Sequence, residues 1–469
     1  MQCSIRHGSS TARPKPVPFW PGQPLTLITS WEITSMPLHS IRRPASRLAM
    51  AIALTTGAAF GLTATATPAF AAKKKEKESA PKANYSKEFV GAYQPFAQKL
   101  QDDSTDIATL QAELPQVVAM AKTPDDNFVA GQITYSVGTK AKDLATQRKG
   151  LDMMLDSGKT PAESLATNLF AASQLAYQAK DWNAAISRAQ QSIDAGNNKG
   201  DPELLIAESW FAQKQPQKGI DALQLAISKK QQAGEAVPEA WIKRAVAMSY
   251  EGDLKESALK YAGLYAELFP SVNSWGDAIA IERNFYDFEG QSLLDLMRLS
   301  MRTNSLRNSR DYVEYFTAAD ARRLPGETLK VIDAGIAAGQ LSASDVTVSE
   351  AKSIATSRLS ADKSSLPSLA SDADKAGASL ATINAAGDAF LSYGEAAKAE
   401  GYYKRALDKP GVDTPRVLTR LGIALADQGK YAEAQQTFAK VQGERQPIAY
   451  LWSIYAKQKA GGATAGNNQ

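Results

Sequence analysis

Apolar positions near the C-terminus repeat with the period of an α-helix. Leu418, Leu421 and Leu425 are spaced by three and four residues, which places them on one face of a helix. On the same segment, Gly422 is followed twelve residues later by Ala434. Two small residues at this spacing allow a second helix to pack closely against the first. The pattern therefore predicts an antiparallel helix pair.

The twelve-residue spacing of small residues recurs elsewhere in the chain. It joins Gly387 to Ala399, Ser173 to Ala185, Ala207 to Gly219, and Ala245 to Ser257. Neighbouring pairs are offset by about 35 residues, and self-similarity at that period is typical of stacked helix pairs. The glycines Gly252, Gly394 and Gly429 lie where a residue with positive φ closes the first helix of a pair.

This arrangement resembles the tetratricopeptide repeat. The residues at signature positions of that family are Trp241, Ala245, Ala399, Tyr403, Leu421, Gly422, Ala434 and Phe438. The resemblance implies an all-α fold, an α-solenoid in which antiparallel helix pairs form a right-handed superhelix. It also implies an inner groove that binds proteins or peptides, and it implies no catalytic activity. A helical-pair array of another kind is the alternative.

The predicted array occupies residues 84–459. Its clearest repeats are 166–199, 200–234, 238–271, 380–412 and 415–448. Divergent helical segments at 84–160 and 272–378 complete it, and the second of these includes two predicted helices at 349–358 and 366–376. The Gly/Ala/Asn-rich segment 460–469 is predicted to be a disordered tail.

The segment 36–72 has the features of a secretory signal peptide. Arg42, Arg43 and Arg47 precede a largely apolar run, and Ala71 ends an Ala-x-Ala cleavage site. We therefore expect cleavage near Ala71 and localisation in a bacterial periplasm or cell envelope. One alternative is an uncleaved anchor, because the apolar stretch is long enough to span a bilayer.

Two further segments flank the predicted signal. Residues 1–35 are rich in Pro, Ser and Thr without periodicity, and we interpret them as a non-native upstream extension. A genuine N-terminal extension is the alternative. Residues 73–83 are predicted to be a charged, solvated linker.

The charge balance and the positions of the Cys and His residues limit the classes of function that the chain can have. The chain has 53 Lys/Arg and 49 Asp/Glu, and residues 1–71 hold six of the former and one of the latter. The predicted mature chain is therefore nearly neutral, which is unfavourable for nucleic-acid binding. The only cysteine, Cys3, and the only histidines, His7 and His39, lie in the part predicted to be removed. We therefore expect no disulfide, no Cys- or His-based catalysis, no metal site and no cofactor.

Candidate partner-binding residues follow from the tetratricopeptide resemblance, which places the groove on the first helix of each pair. They are Phe170, Gln174, Tyr177, Gln178, Glu208, Phe211, Tyr250 and Asp388. The mixture of aromatic, amide and acidic side chains suits an extended protein segment.

The leading hypothesis is an exported, non-enzymatic scaffold that acts by protein–protein contact. The second is a carboxylate-dependent cell-envelope enzyme acting on glycan, or its accessory subunit, because paired Asp or Glu residues need neither His nor Cys. The third is a membrane-tethered adaptor that retains the signal segment as an anchor.

Overall fold

The computed structural model describes residues 83–466, and the described helices belong to one compact unit that begins at Asn84. The predicted extension 1–35 and signal 36–72 lie outside the described residues, as do almost all of the 73–83 linker and residues 467–469. Between residues 83 and 466 every regular element is a helix. None of these helices has the length and hydropathy that a transmembrane span requires.

Twenty α-helices and one 3₁₀ turn, Gly443–Arg445, follow one another along this range. The α-helices are α1 Lys87–Gln101, α2 Ile107–Ala119, α3 Pro124–Ala141, α4 Leu144–Asp156, α5 Ala162–Gln178, α6 Trp182–Asp194, α7 Pro202–Ala212, α8 Pro216–Gln232, α9 Glu239–Glu251, α10 Lys255–Leu268, α11 Val272–Phe285, α12 Gly290–Arg302, α13 Ser309–Ala319, α14 Pro325–Ala337, α15 Val346–Asp374, α16 Leu380–Ser392, α17 Ala396–Leu407, α18 Thr414–Asp427, α19 Tyr431–Phe438 and α20 Gln446–Gly466. Consecutive helices pack on one another. The predicted all-α solenoid of helix pairs is confirmed.

Small residues at the twelve-residue spacing lie at the seams of these pairs. Several are fully buried, namely Ser173, Ala185, Ala207, Ala245, Ala399 and Ala434. At Gly422, an added Cβ atom would lie 2.3 Å from the ring of Phe438. At Gly387, it would lie 2.7 Å from the ring of Tyr403. The glycine of the first helix therefore makes room for an aromatic ring of the second.

The turns differ from the prediction at one position. Gly394 and Gly429 have φ values of 79° and 77°, as expected. Gly252 does not, because its φ is −79° and Asp253 takes the left-handed conformation with φ 56°. An added Cβ atom at Gly252 would lie 2.8 Å from Pro216. A close approach to the preceding pair therefore accounts for this glycine.

Helix α15 corrects the prediction of two short helices at 349–358 and 366–376. It is a single helix of 29 residues that contains Pro367 and buries only Val348, Ala355 and Ala373. Two helices would leave a further set of backbone groups without intrahelical partners, whereas one internal proline removes a single hydrogen bond. Continuation through the proline leaves fewer backbone groups unsatisfied.

Helix α20 is described through residue 466, so it extends beyond the predicted boundary of the array at 459. Each added residue extends an existing helix by one backbone hydrogen bond, so elongation avoids the cost of nucleation. The beginning of the predicted 460–469 tail is therefore helical.

The C-terminal helices return to the middle of the chain. Arg302 on α12 forms a salt bridge of 2.5 Å with Asp427 on α18. The indole N–H of Trp452 on α20 donates to the carbonyl oxygen of Asp295 on α12, at 2.9 Å. The array is therefore not a simple linear stack, because α18 and α20 close onto α12.

Candidate functional site

The first helices of three consecutive pairs, α5, α7 and α9, carry seven of the eight candidate side chains. We call the row formed by Gln174, Tyr177 and Gln178 on α5, Glu208 on α7, and Arg244 on α9 the first-helix face. Glu208 and Arg244 are joined in a fork, with Nε–Oε1 at 3.0 Å and Nη2–Oε2 at 2.9 Å. This bidentate pair connects neighbouring repeats and fixes both side chains in one orientation.

Tyr177 lies beside this pair and is partly exposed. Its ring makes an edge contact with Trp182, with centroids 5.1 Å apart. Burial and the negative charge of Glu208 raise the pKa of the Tyr177 hydroxyl. Gln174 and Gln178 are also partly exposed. Their amides can donate to and accept from the backbone of an extended segment.

The two candidate phenylalanines serve internal packing. Phe211 is only 6% exposed, and its ring covers Gly219 in the α7–α8 seam. The guanidinium of Arg244 lies over the same ring, 5.2 Å from its centroid. Phe170 packs against Gly200 in the loop before α7. The prediction that Phe211 is a contact residue is corrected, because its side chain is buried within the fold.

Tyr250 lies near the end of α9 and contacts α11. Its hydroxyl accepts a hydrogen bond from the side-chain amide of Asn284, at 3.1 Å. Its ring makes an edge contact with Phe285, with centroids 5.8 Å apart. Tyr250 is partly exposed, so it continues the first-helix face toward α11.

Asp388 on α16 is separated from these residues and does not line an open surface. It is 8% exposed and accepts hydrogen bonds from Tyr403 and Arg416, each at 2.8 Å. It also pairs with Arg420 on α18 at 2.6 Å. Its prediction as a groove residue is corrected, because its carboxylate is already satisfied inside the C-terminal half.

Asp388 belongs to a buried charge network that the sequence reading did not identify. The network is centred on Asp295 of α12, which is 0% exposed and contacts Arg298, Arg420 and Arg445. The Arg445 bond is the shortest of these, at 2.7 Å.

Arg298 extends the network to α14. Its guanidinium forms a fork with Glu327, at 2.8 and 2.7 Å, and Tyr315 donates to the same carboxylate at 2.9 Å. The centre of the network consists of three acids and three arginines, Asp295, Glu327, Asp388, Arg298, Arg420 and Arg445. Arg416 and Glu289 add one charge of each sign at its edge. Balanced, hydrogen-bonded charges are the arrangement in which buried ions are tolerated.

The pKa values of the buried carboxyl groups determine whether this network can act as an acid. Burial raises the pKa of Asp295, but Arg420, Arg445 and Arg298 outweigh burial and hold that pKa at about 2. Asp388 and Glu327 also have lowered pKa values, because the neighbouring arginines outweigh burial. These carboxylates are charged at neutral pH and cannot donate a proton there. The network stabilises the contact of α12 with α18.

The C-terminal half leaves little surface for a groove. All residues of α18 between Val417 and Ala426 are buried. The open candidate surface is therefore the first-helix face of the N-terminal half. In the described range, no group of three or more His, Cys, Asp or Glu residues is placed to hold a metal ion.

No protein family and no curated protein matches the sequence. Solved structures with similarity to this chain include the following three. The Naa15/Naa10 structure bound to HypK-THB is 12% identical, with 80% of this chain and 60% of that chain covered and a TM-score of 0.37. The TPR2AB-domain:pHSP90 complex of yeast Sti1 is 12% identical, with 65% and 97% covered and a TM-score of 0.23. The TPR domain of P58(IPK) is 10% identical, with 80% and 99% covered and a TM-score of 0.22.

This chain thus spans 60% of the length of the first of these structures. Similarity at these levels assigns neither a family nor a partner. The described helices themselves establish the fold class, an all-α array of antiparallel pairs whose C-terminal part closes onto its middle.

Proposed function

We propose that this protein is a non-enzymatic helical-repeat scaffold that binds an extended segment of a partner protein along the first-helix face. The observation that carries the proposal is the contrast between the two halves. The face of α5, α7 and α9 presents partly exposed amide, tyrosine and charged side chains, whereas α18 is buried and Asp388 is fully engaged. An extended segment needs such convergent polar groups to satisfy its backbone.

The second hypothesis, a carboxylate-dependent enzyme, has less support. A glycosidase needs one carboxyl that donates a proton and one that acts as nucleophile or base. Asp295, Asp388 and Glu327 are buried beside arginines, and their pKa values are lowered. They fit a structural role.

We propose that the protein acts after export to the periplasm or cell envelope. The features of residues 36–72 support this part of the proposal. N-terminal sequencing of the protein from envelope fractions tests it. A first residue of Ala72 is the expected result, and an intact segment 36–72 would favour the tethered adaptor instead.

Site-specific photo-crosslinking tests the binding surface. A photoreactive residue at Gln174 or Gln178 is expected to capture one partner species in envelope fractions. The matched control is Gln190, an exposed glutamine on the second helix α6. Equal capture from Gln190 would contradict the assignment of the face.

A second variant separates binding from folding. Glu208→Gln weakens the fork with Arg244, so we expect less crosslinked partner from Gln174 with unchanged far-UV circular dichroism. The Phe211→Ala variant is unsuitable for this purpose, because it removes a buried ring from the α7–α8 seam.

A further inference from the structure

Three lysines occupy the same position in the turns of three consecutive helix pairs. Lys142, Lys180 and Lys214 follow the first helices α3, α5 and α7, and their φ values are 55°, 59° and 57°. In each turn the lysine N–H donates to the carbonyl oxygen three residues before it, and the next N–H donates to the carbonyl oxygen five residues before that one. This shared geometry places the three side chains along one edge of the stacked pairs. We call them the turn lysines.

The ammonium groups of the turn lysines face solvent. All three side chains are exposed. Within residues 83–466, no ion pair, side-chain hydrogen bond or ring contact engages any of them. A helix C-terminus favours a positive charge through its dipole, which suits a lysine at this position without occupying its ammonium group. The turn lysines are therefore able to pair with negative charges of another molecule.

The acids that directly follow two of the turn lysines are already engaged within the fold. Asp181 forms a salt bridge of 2.5 Å with Arg148. Asp143 caps the start of α4 with its side chain. In the next pair the equivalent turn position is held by Asp253, with a φ of 56°, so the row of lysines ends at the α7–α8 turn. This edge of the N-terminal half therefore carries a local surplus of positive charge.

A surface cleft adjoins the turn lysines. Its volume is about 670 Å³, and its lining includes Ala179, the residue before a turn lysine, and Lys149 on α4. The two acids of the lining, Asp152 and Asp156, both pair with Arg188, at 3.1 and 2.6 Å. Lys149 is exposed, and no contact within the described part of the chain engages its ammonium group. The cleft therefore adds one more uncompensated positive charge beside the row.

The spacing of the turn lysines fits an extended chain. Helices α5 and α7 pack on each other, and packed helices lie about 8–10 Å apart, so the same distance separates Lys180 from Lys214 approximately. The salt bridge between Arg148 and Asp181 likewise holds the start of α4, which follows Lys142, beside the next turn. An extended chain advances about 3.3 Å per residue, so acidic residues at every third position match this spacing.

We propose that the turn lysines bind acidic residues, spaced about three apart, in the extended segment of the partner protein. This inference rests on the proposed function: Gln178 of the first-helix face lies two residues before Lys180, so a segment bound to that face continues over the turns. The lysines form a narrow line between acids that are already paired. Such a line complements a single extended chain, whereas nucleic acids and lipid surfaces are bound by broader basic patches.

Fluorescence anisotropy with the full-length protein and a synthetic acidic peptide tests the proposal. The probe is a fluorescein-labelled peptide of about ten residues, long enough to span the three turns, with Glu at every third position and Ser or Gln between. The combined variant Lys142→Gln, Lys180→Gln and Lys214→Gln keeps the side-chain length and removes the charges. We expect it to raise the Kd for this peptide roughly tenfold, since exposed ion pairs each contribute little but act together here. An unchanged Kd would overturn the proposal.

A matched variant controls for net charge. Lys87→Gln, Lys330→Gln and Lys440→Gln together remove three exposed lysines outside the row, and we expect the Kd to change by less than about twofold. An equal loss in the two triple variants would contradict the assignment to the turns. Equal binding of the wild-type protein to a peptide with Gln in place of every Glu would also contradict it. Tighter binding of single-stranded DNA or phosphatidylserine vesicles by the same lysines would contradict the choice of a protein segment.

Photo-crosslinking from Gln174 distinguishes this inference from the proposed function. We expect the turn-lysine variant to capture less of the partner that the wild-type protein captures. Equal capture by the two proteins would refute acidic recognition by the turns and leave the first-helix face as the binding surface. Absence of a specific partner in the wild-type experiment would refute the proposed function itself, and the peptide measurement then still decides whether the turn lysines bind acidic chains.

Discussion

At the scale of the residue, Asp295 shows why a hydrophobic pattern does not reveal every core position. Its side chain is fully buried, although it lies next to Leu294 and Leu296 in an amphipathic helix. The arginines that neutralise it come from three places in the chain, Arg298, Arg420 and Arg445. Only the fold brings these charges together, and the stability of the contact depends on all of them.

Substitution Asp295→Asn tests this dependence. The variant leaves Arg420 and Arg445 buried without their carboxylate, so we expect the free energy of unfolding at neutral pH to fall by about 3–5 kcal/mol. Urea denaturation measures the loss. The control is Asp103→Asn, because Asp103 is a fully exposed acid paired with Lys140 at 3.3 Å, and such pairs contribute little. Equal losses in the two variants would contradict a special role for Asp295.

The same substitution has a predictable pH dependence. Because the pKa of Asp295 is lowered from 3.8 to about 2 in the folded chain, its stabilising contribution is present above pH 3.8. The contribution is lost as the pH falls through about 2. We therefore expect the wild-type protein to lose stability between pH 4 and 2 more steeply than the Asn variant.

At the scale of the element, glycines within helices differ in whether the packing of a helix pair requires them. Gly422 on α18 lies under the ring of Phe438, whereas Gly401 on α17 has no atom within 4 Å of an added Cβ. Both glycines occur inside helices, yet only the first is required by packing. Sequence periodicity locates both residues and does not distinguish them.

The variants Gly422→Ala and Gly401→Ala form a matched pair. At Gly422 the methyl group collides with a buried ring, so we expect a loss of about 1–3 kcal/mol in the free energy of unfolding. At Gly401 the methyl group is accommodated and lowers the entropy of the unfolded chain, with a gain of about 0.5–1 kcal/mol. Urea denaturation measures the free energy of unfolding of both variants and tests these two expectations. Stabilisation by Gly422→Ala would show that the seam is looser than the structure indicates.

At the scale of the whole molecule, the closure of α18 and α20 onto α12 is the main departure from a linear repeat array. In a linear solenoid each repeat contacts only its neighbours, and local changes remain local. Here Trp452 and Lys457 reach residues that are 157 and 190 positions away. The C-terminal helix is therefore coupled to the middle of the chain.

Deletion of residues 446–469 tests this coupling. We expect hydrogen-exchange protection to fall in α10 and α12, which lose their contacts with α20, and to be unchanged in α3 and α4. Exchange measured by mass spectrometry on the shortened and full chains provides the comparison. Loss confined to α19, the neighbour of α20 in sequence, would show that the long-range contacts contribute little.

The sequence by itself determined the fold class and the register of the helix pairs. Small residues twelve positions apart and apolar residues spaced by three and four positions reflect packing within one repeat. Such local packing can be predicted from the sequence. Glu208 was among the predicted contact residues, whereas its partner Arg244 was not, although the two opposite charges lie about one repeat apart in the sequence. The predictions for the turn at Gly252 and for two short helices in place of α15 were wrong, because these features depend on contacts and helix continuity that propensity does not encode.

Only the tertiary structure decided which surfaces remain open. Asp388 and Phe211 have the residue types of contact groups. However, Tyr403, Arg416 and Arg420 engage the carboxylate of the first, and the side chain of the second is buried. Two of the arginines that pair with Asp295, Arg420 and Arg445, come from segments that are distant along the chain. Burial and charge balance are properties of the assembled helices, so spacing in the sequence could not determine them.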